Sequence, residues 1–287
     1  MTEEKNKVQK STLYLVGTPI GNLSDISERA IKVLSEVDFI AAEDTRNSLR
    51  LLSALGIKNE LISYHEHNKK ASGERLVARL LNGESCALIT DAGMPAISDP
   101  GEDIVRLCAE AGITVSVIPG PCAAVSALAL SGLGTTRFAF EGFLSAQKSE
   151  RRSRLEELKY EQRTMIFYEA PHKLKATLDD MLVAFGEDRK ISLCREITKL
   201  NEEITRTTLN YACKYYSENE PRGEYVLVLD GFSGKVVSDE MQALLTLTPE
   251  EHVEFYVNQG LSKMDATKKA AKDRGLSKSE LYKILNS

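Results

Sequence analysis

The chain has 287 residues, 42% of them hydrophobic and 28% charged, with 37 Lys and Arg against 42 Asp and Glu for a net charge of -5. That length exceeds what one core usually fills, so two domains are expected, and the negative balance argues against binding nucleic acid with the whole surface. The five cysteines are odd in number and lack CxxC spacing, and residues 1–10 are polar, with no apolar run long enough to span a bilayer anywhere. The composition therefore reads as a reduced, cytoplasmic, soluble protein with no structural zinc, no disulfide framework and no membrane association.

After a polar tail over residues 1–11, strands and helices alternate. Residues 13–16 read as a strand, 27–35 as a helix opened by Ser24 and Asp25, 37–42 as a second strand, and 47–55 as a helix ended by Gly56. Then come a short strand (61–64), a helix (73–81), a strand (86–89), a helix (102–111) and a strand (113–118). Short connections between alternating elements predict a mostly parallel sheet covered on both faces, an α/β domain over residues 12–131. A helix over 123–130 leads into the loop-like run Ser131-Gly132-Leu133-Gly134-Thr135-Thr136, which reads as the hinge.

Beyond the hinge, strands follow one another more often: 138–142, 164–168, 191–195, 203–206 and 225–229, with helices at 148–160, 174–185 and 207–216. A second α/β domain with a mixed sheet is expected over 132–236, and the cleft between two such domains is a common ligand site. Residues 237–287 read as helices only, at 249–259, 262–274 and 277–285. Thr248-Pro249 forms an N-cap and first-turn pair, Gly260 and Gly275 separate the helices, and Ser262 and Ser277 stand as N-caps. Residues 261–287 carry seven basic and three acidic residues, so this tail reads either as a helix-turn-helix-like unit or as a packing or dimerisation appendage with solvated lysines.

Three apolar strands run into Gly/Pro turns: Gly17-Thr18-Pro19-Ile20-Gly21-Asn22, the long run from Thr90 through Gly93, Met94 and Ile97 to Gly101, and Pro119-Gly120-Pro121-Cys122-Ala123. In an open α/β sheet, ligands bind beyond the carboxyl ends of the strands, and glycine and proline there let backbone approach a ligand directly. Gly17-xxx-Gly21 lacks the spacing of a dinucleotide fingerprint and the Lys of a P-loop. Ala42-Glu43-Asp44-Thr45-Arg46 ends the second strand with two acids and a base. A carboxylate there can orient or deprotonate a hydroxyl, and Arg46 can bind phosphate; equally, Asp44 or Thr45 can cap the next helix, with Arg46 and Arg50 on its solvated face. His65-Glu66-His67 lacks a third ligand and reads as an exposed loop. The Arg151-Arg152-Ser153-Arg154 cluster suits an RNA backbone, although such a helix is usually a solvated face.

Taken with Tyr168-Glu169-Ala170-Pro171-His172-Lys173 and Arg222-Gly223-Glu224-Tyr225, these segments resemble the tetrapyrrole methylase superfamily of S-adenosylmethionine-dependent enzymes, and within it the branch of ribosomal RNA small subunit methyltransferases. The resemblance covers roughly residues 13–230, with several separated motifs in order. It implies two α/β domains of the tetrapyrrole methylase type with the cofactor cleft between them. It also implies S-adenosyl-L-methionine held by Pro19, Ile20, Gly21, Gly93, Met94, Ile97, Pro119, Cys122, Ala123, Tyr168 and Glu224. Related enzymes often carry Asp where Met94 stands. Segments 195–199 and 222–224 either close over the adenosyl group or are strand-end charges.

The reaction so implied is methylation of the ribose 2′-hydroxyl of a cytidine in the decoding region of 16S ribosomal RNA. The partner is the small ribosomal subunit, the enzyme a homodimer, and no metal is needed because the sulfonium already activates the methyl. Glu43 and Asp44 are the candidate bases. Arg46, Arg50, Arg151, Arg152, Arg154, His172 and Lys173 are the candidate RNA contacts. Two other readings stand beside this one: a tetrapyrrole (corrinoid precursor) methyltransferase, and a non-enzymatic nucleic-acid-binding ligand sensor.

Overall fold

The computed structural model describes residues 7–234 and 239–285, leaving out the side chains of 239, 240 and 242. Most of the predicted tail over 1–11 and the predicted boundary at 236/237 thus lie outside the described residues. The chain divides into two compact units, Met1–Phe232 and Ser233–Ser287. Each is described by itself.

The first unit opens with five parallel strands, β1 (Thr12–Val16), β2 (Phe39–Ala42), β3 (Leu61–Ser63), β4 (Cys86–Ile89) and β5 (Thr114–Ile118), in the order β3-β2-β4-β1-β5. Their side chains alternate between two apolar layers, as a period of two requires. Tyr14, Val16, Ile40 and Ile89 face α1 (Glu28–Glu36) and α2 (Thr45–Ala54), while Leu13, Phe39, Cys86 and Leu88 face α3 (Lys69–Leu81) and α4 (Gly101–Glu110). Continuously buried β2 and β4 are what a sheet covered on both faces produces.

The second sheet contains β6 (Phe138–Phe143), β7 (Thr164–Glu169), β8 (Lys190–Arg195), β9 (Glu203–Thr208) and β10 (Tyr225–Leu229), in the order β6-β7-β10-β8-β9. Only the β6–β7 pair is parallel, so the sheet is mixed, as expected. One face packs Met165, Phe167, Leu193 and Leu227 under α6 (Lys148–Glu157), α7 (Pro171–Phe185) and α8 (Leu209–Glu218). The other face is covered by α5 (Ala123–Ser131), whose Ala124, Ala127 and Leu128 meet Ile166, Cys194, Val226 and Val228. Sequence order alone groups α5 with the first sheet. Its packing joins it to the second, through Ala124, Ala127 and Leu128, while Val125 on its other side stays exposed.

The second unit has α9 (Asp239–Thr246), α10 (Pro249–Asn258), α11 (Lys263–Asp273) and α12 (Lys278–Ile284) around Leu244, Val253, Tyr256, Ala266, Ala270 and Leu281. Thr248 and Ser277 form reciprocal capping boxes with Glu251 and Glu280, and Ser262 caps α11 through the Asp265 N–H. Two departures from the sequence reading matter. α9 was not anticipated. α7 begins at Pro171 rather than 174, because proline suits a first helical turn, and so His172 and Lys173 lie within the helix rather than before it.

Candidate functional site

Because the first sheet is parallel, the segments after β1, β2, β4 and β5 all leave from one edge. Three of them are locked together by backbone. A Cβ on Gly17 would lie 2.6 Å from the Gly120 Cα, and one on Gly120 would lie 2.8 Å from the Gly17 Cα, so the two loops touch where no side chain fits. Thr18 and Gly93 exchange backbone hydrogen bonds of 2.9 and 3.1 Å, and the buried Thr18 hydroxyl donates to the Thr90 carbonyl at 3.3 Å. The Gly120 N–H donates to the Met94 Sδ at 3.2 Å, so Met94 ties the second loop to the third.

Beyond Met94, the Asp99 carboxylate accepts from the N–H groups of Ala96, Ile97 and Gly101 at 3.0, 3.3 and 2.7 Å. It thereby holds Ala96 and Ser98 in left-handed backbone, both at φ 66°. Such conformations cost about 1–3 kcal/mol each and persist where the surroundings over-determine them.

These loops form one wall of a cavity of about 540 Å³, a size suited to a nucleoside-sized ligand. Ile20, Met94, Cys122 and Ala123 line it from the first half, and Tyr168, Cys194, Ile197 and Val226 from the second sheet. The carboxyl ends of β7 and β8 and the amino end of β10 share one edge because β10 is antiparallel to both. Tyr168 bridges the halves: its hydroxyl accepts from the Ala124 N–H at 3.2 Å, at the start of α5, where Cys122 offers no side-chain cap. Burial, with a smaller contribution from Cys122, pushes the Tyr168 hydroxyl up to about 12 against the opposing Ala124 N–H, so it stays neutral.

Polar groups gather at the rim. Glu43 accepts from the Thr90 hydroxyl at 2.8 Å, and Asp91 accepts from Asn47 Nδ2 at 2.9 Å and the Asp44 N–H at 3.3 Å. Asp44 turns away to other work: it caps α2, accepting from the Arg46 N–H at 2.8 Å and from the Arg46 guanidinium at 3.1 and 3.3 Å. The Arg46 side chain, then its N–H, holds the Asp44 carboxyl below the usual range, which makes it a poor base. Across the cavity, Lys199 bridges Glu196 at 2.9 Å and Glu224 at 2.8 Å, and Lys199 and the Glu224 N–H hold the Glu196 carboxyl low. The buried Glu169 accepts from the Thr177 hydroxyl at 2.5 Å and the Ala170 N–H at 2.8 Å.

A profile of the family described as Tetrapyrrole (Corrin/Porphyrin) Methylases matches residues 12–212. Ribosomal RNA small subunit methyltransferase I of Halalkalibacterium halodurans is 50% identical over 275 residues, covering 96% of this chain and 94% of that protein. The Bacillus subtilis protein of the same name is 47% identical over 276 residues, covering 96% and 94%. The chain belongs to the ribosomal RNA small subunit methyltransferase I family. Among solved structures, a cobalt precorrin-4 methyltransferase superposes with a TM-score of 0.57 at 17% identity, covering 77% of this chain and 95% of that one. The uroporphyrin-III-C-methyltransferase from Thermus thermophilus gives 0.55 at 21%, covering 77% and 94%. Both share the fold.

Within this ribosomal RNA methyltransferase fold, the predicted residues divide. Ile20, Gly93, Met94, Ile97, Cys122, Ala123, Tyr168 and Glu224 line the cavity, with Glu43 and His172. Pro19, Gly21, Pro119 and Asp44 do not. Gly21 serves the wall from behind, since a Cβ there would run into Lys199 Cγ and lie 2.9 Å from Thr198 Oγ1. Phe143, Cys194 and Val226 line the cavity without having been singled out. For Cys194 and Val226 the strand pattern announces burial but not which face.

Within the Arg151–Arg154 cluster, Arg151 requires correction, while Arg152 and Arg154 keep 54% and 48% of their side chains exposed. Arg151 is buried, with its guanidinium 2.7 Å from Asp180 and donating to the Ser145 and Ala146 carbonyls at 3.2 and 3.4 Å. It cannot face RNA. Arg152 shares Asp180 at 2.7 Å, and Arg154 pairs with Glu141 and Glu157 at 2.7 and 2.8 Å. At the β2–α2 corner, the Arg46 side chain is 87% exposed with Asp44 as its partner, and Arg50 is exposed. Lys173 is half-buried. Among the described residues no group of three or more His, Cys, Asp or Glu is placed to hold a metal ion, and no helix is long and apolar enough to cross a membrane.

Proposed function

We infer that this methyltransferase moves the methyl group of S-adenosyl-L-methionine to the ribose 2′-hydroxyl of a cytidine in the decoding region of 16S ribosomal RNA, within the small ribosomal subunit. The observation that carries the reading is the cavity itself, where three backbone-locked Gly/Pro loops face Tyr168 and Val226 and a carboxylate stands at the rim.

The residues present fit the cofactor. Ile20, Met94, Ala123 and Val226 supply apolar contact for an adenosyl group, while Gly93 and the loop backbone supply close polar approach. Gly93 stands at φ 86°. When bound, the cofactor supplies an activated methyl on a sulfonium. The chain's own contribution is then chiefly positioning, for which fixed loops are the physical requirement.

Glu43 is the residue we assign as base. A 2′-hydroxyl is a weak nucleophile, and a carboxylate hydrogen-bonded to the acceptor can take its proton as the new bond forms. Thr90 fixes one oxygen of Glu43 and leaves the other for a substrate. Arg46 and Arg50, exposed at the adjoining corner, hold backbone phosphates. The working unit is a cytoplasmic homodimer on this reading.

The deciding experiment incubates the protein with labelled cofactor and small ribosomal subunits lacking the modification, then maps ribose methylation. Label on a decoding-region cytidine is expected. Label on a base, or transfer to corrinoid precursors but not to subunits, would overturn the assignment. Calorimetry with Gly93→Val should show loss of cofactor binding in a folded protein.

A further inference from the structure

β6 is irregular. Its register against β7 shifts between Phe140 and Gly142, and Gly142 sits at φ 64°, where a side chain is strained. A bulge re-aims the residue that follows it. Here that residue is Phe143, which lines the cavity yet is 58% exposed, a large apolar ring left in solvent at the mouth of a polar-rimmed site.

The ring rests on Tyr168, and the segment that carries it is fixed on both sides. Its edge meets Tyr168, with centroids 5.4 Å apart and planes at 60°, and Tyr168 is braced in turn by Phe140 at 5.0 Å and by its bond to the Ala124 N–H. On the preceding side, Gly142 packs close to the Ser98 hydroxyl, which a Cβ would approach to 3.4 Å. On the following side, buried Arg151 grips the Ser145 and Ala146 carbonyls while anchored to Asp180 on α7. The basic residue that read as an RNA contact is instead the clamp on the segment that carries Phe143.

We propose that Phe143 is a stacking platform for the base of the nucleotide being methylated. The inference rests on the ribosomal RNA reading above and adds a residue to it. A ribose drawn into a cavity lined by both halves brings its nucleotide away from its neighbours, and an unstacked base regains part of the lost stacking energy on an aromatic face. An edge-to-face contact with Tyr168 leaves a Phe143 face free to do this. Ile20, Met94 and Val226 line the same cavity and suit the cofactor, and Phe143 differs from them in being 58% exposed.

The test compares Phe143→Ala, Phe143→Leu, Phe143→Tyr and Phe143→Trp in steady-state methylation of small subunits, with S-adenosylhomocysteine affinity measured by calorimetry. Alanine and leucine should raise KM for the subunit roughly tenfold, the scale of one base–aromatic stack, while tyrosine and tryptophan restore it. Affinity for S-adenosylhomocysteine should be unchanged in all four. Wild-type kinetics in both the alanine and leucine variants would overturn the proposal, as would a loss of S-adenosylhomocysteine affinity matching the loss of activity, which would put the ring on the cofactor. Failure of the unaltered protein to methylate subunits would instead break the underlying functional reading, and it is seen before any variant is made.

Discussion

The β2–α2 corner and α6 look alike as strings, each a run of arginines beside acids, yet Arg46 and Arg151 end in opposite states. At the corner, Arg46 is exposed and held by a neighbour two residues away, and Glu43 opens on the cavity. In α6, Arg151 is drawn inside by Asp180, 29 residues later, and Arg154 is neutralised by Glu141 on β6. Local charge density therefore says little about which cations face solvent. For Arg151 what decides is a buried carboxylate delivered by α7, whereas Arg152 and Arg154 pair with Asp180 and Glu141 and still keep about half of their side chains exposed.

The sharpest break of that contrast removes the buried partner. Arg151→Met should cost about 1–3 kcal/mol of stability, because the buried Asp180 keeps only Arg152 as a partner and the Ser145 and Ala146 carbonyls lose their donor. Thermal melting reads this, and Arg151→Met with Asp180→Leu should recover most of it. Burial alone would raise the Asp180 carboxyl, but the hydrogen bonds from Arg152 and Arg151 outweigh it and the group lies below its usual value. A depressed folded value means stability present above an unfolded value of about 3.9 and lost as pH falls through the folded one. Acid unfolding below about pH 4 should thus be blunted in the double variant relative to wild type.

At the corner the expected loss is of rate. Glu43→Gln should lower kcat about 100-fold or more with cofactor affinity intact, as for a group acting in the transition state. A normal rate would leave positioning to carry the reaction alone. Smaller again is the effect of Arg46→Ala with Arg50→Ala, which should weaken subunit binding and reduce its salt slope by about one for each phosphate no longer neutralised. Arg152→Ala should leave that slope unchanged. Asp44→Asn should do least, with almost no change in thermal midpoint and little in turnover, since asparagine caps a helix as well as aspartate does. A large rate loss there would restore Asp44 as a catalytic candidate.

Much of this fold was readable because periodicity is local. The apolar run from Leu13 to Val16, the Gly/Pro turns after β1, β4 and β5, and the serine and threonine caps of α10 to α12 all announce themselves within a few residues. The cavity loops were readable for the same reason. The remainder depends on separations no short window spans. Gly120 needs Gly17, Arg151 needs Asp180, and the direction of Phe143 needs a bulge whose signal is a single glycine. The contact of Met94 with the Gly120 N–H gives it a structural duty that its residue type alone does not announce.

The order of strands in the second sheet has a consequence for the protein's birth. β10 is the last strand made, yet it lies between β7 and β8 and carries Val226 and Val228 onto α5. The first sheet is complete in the emerging chain by Ile118, but the apolar helix that follows waits for its central support until Leu229 is synthesised. At 5–20 residues per second that interval of roughly 100 residues lasts on the order of 5–20 s. During it, α5 and the strands on either side of the gap are exposed to whatever chaperone meets them.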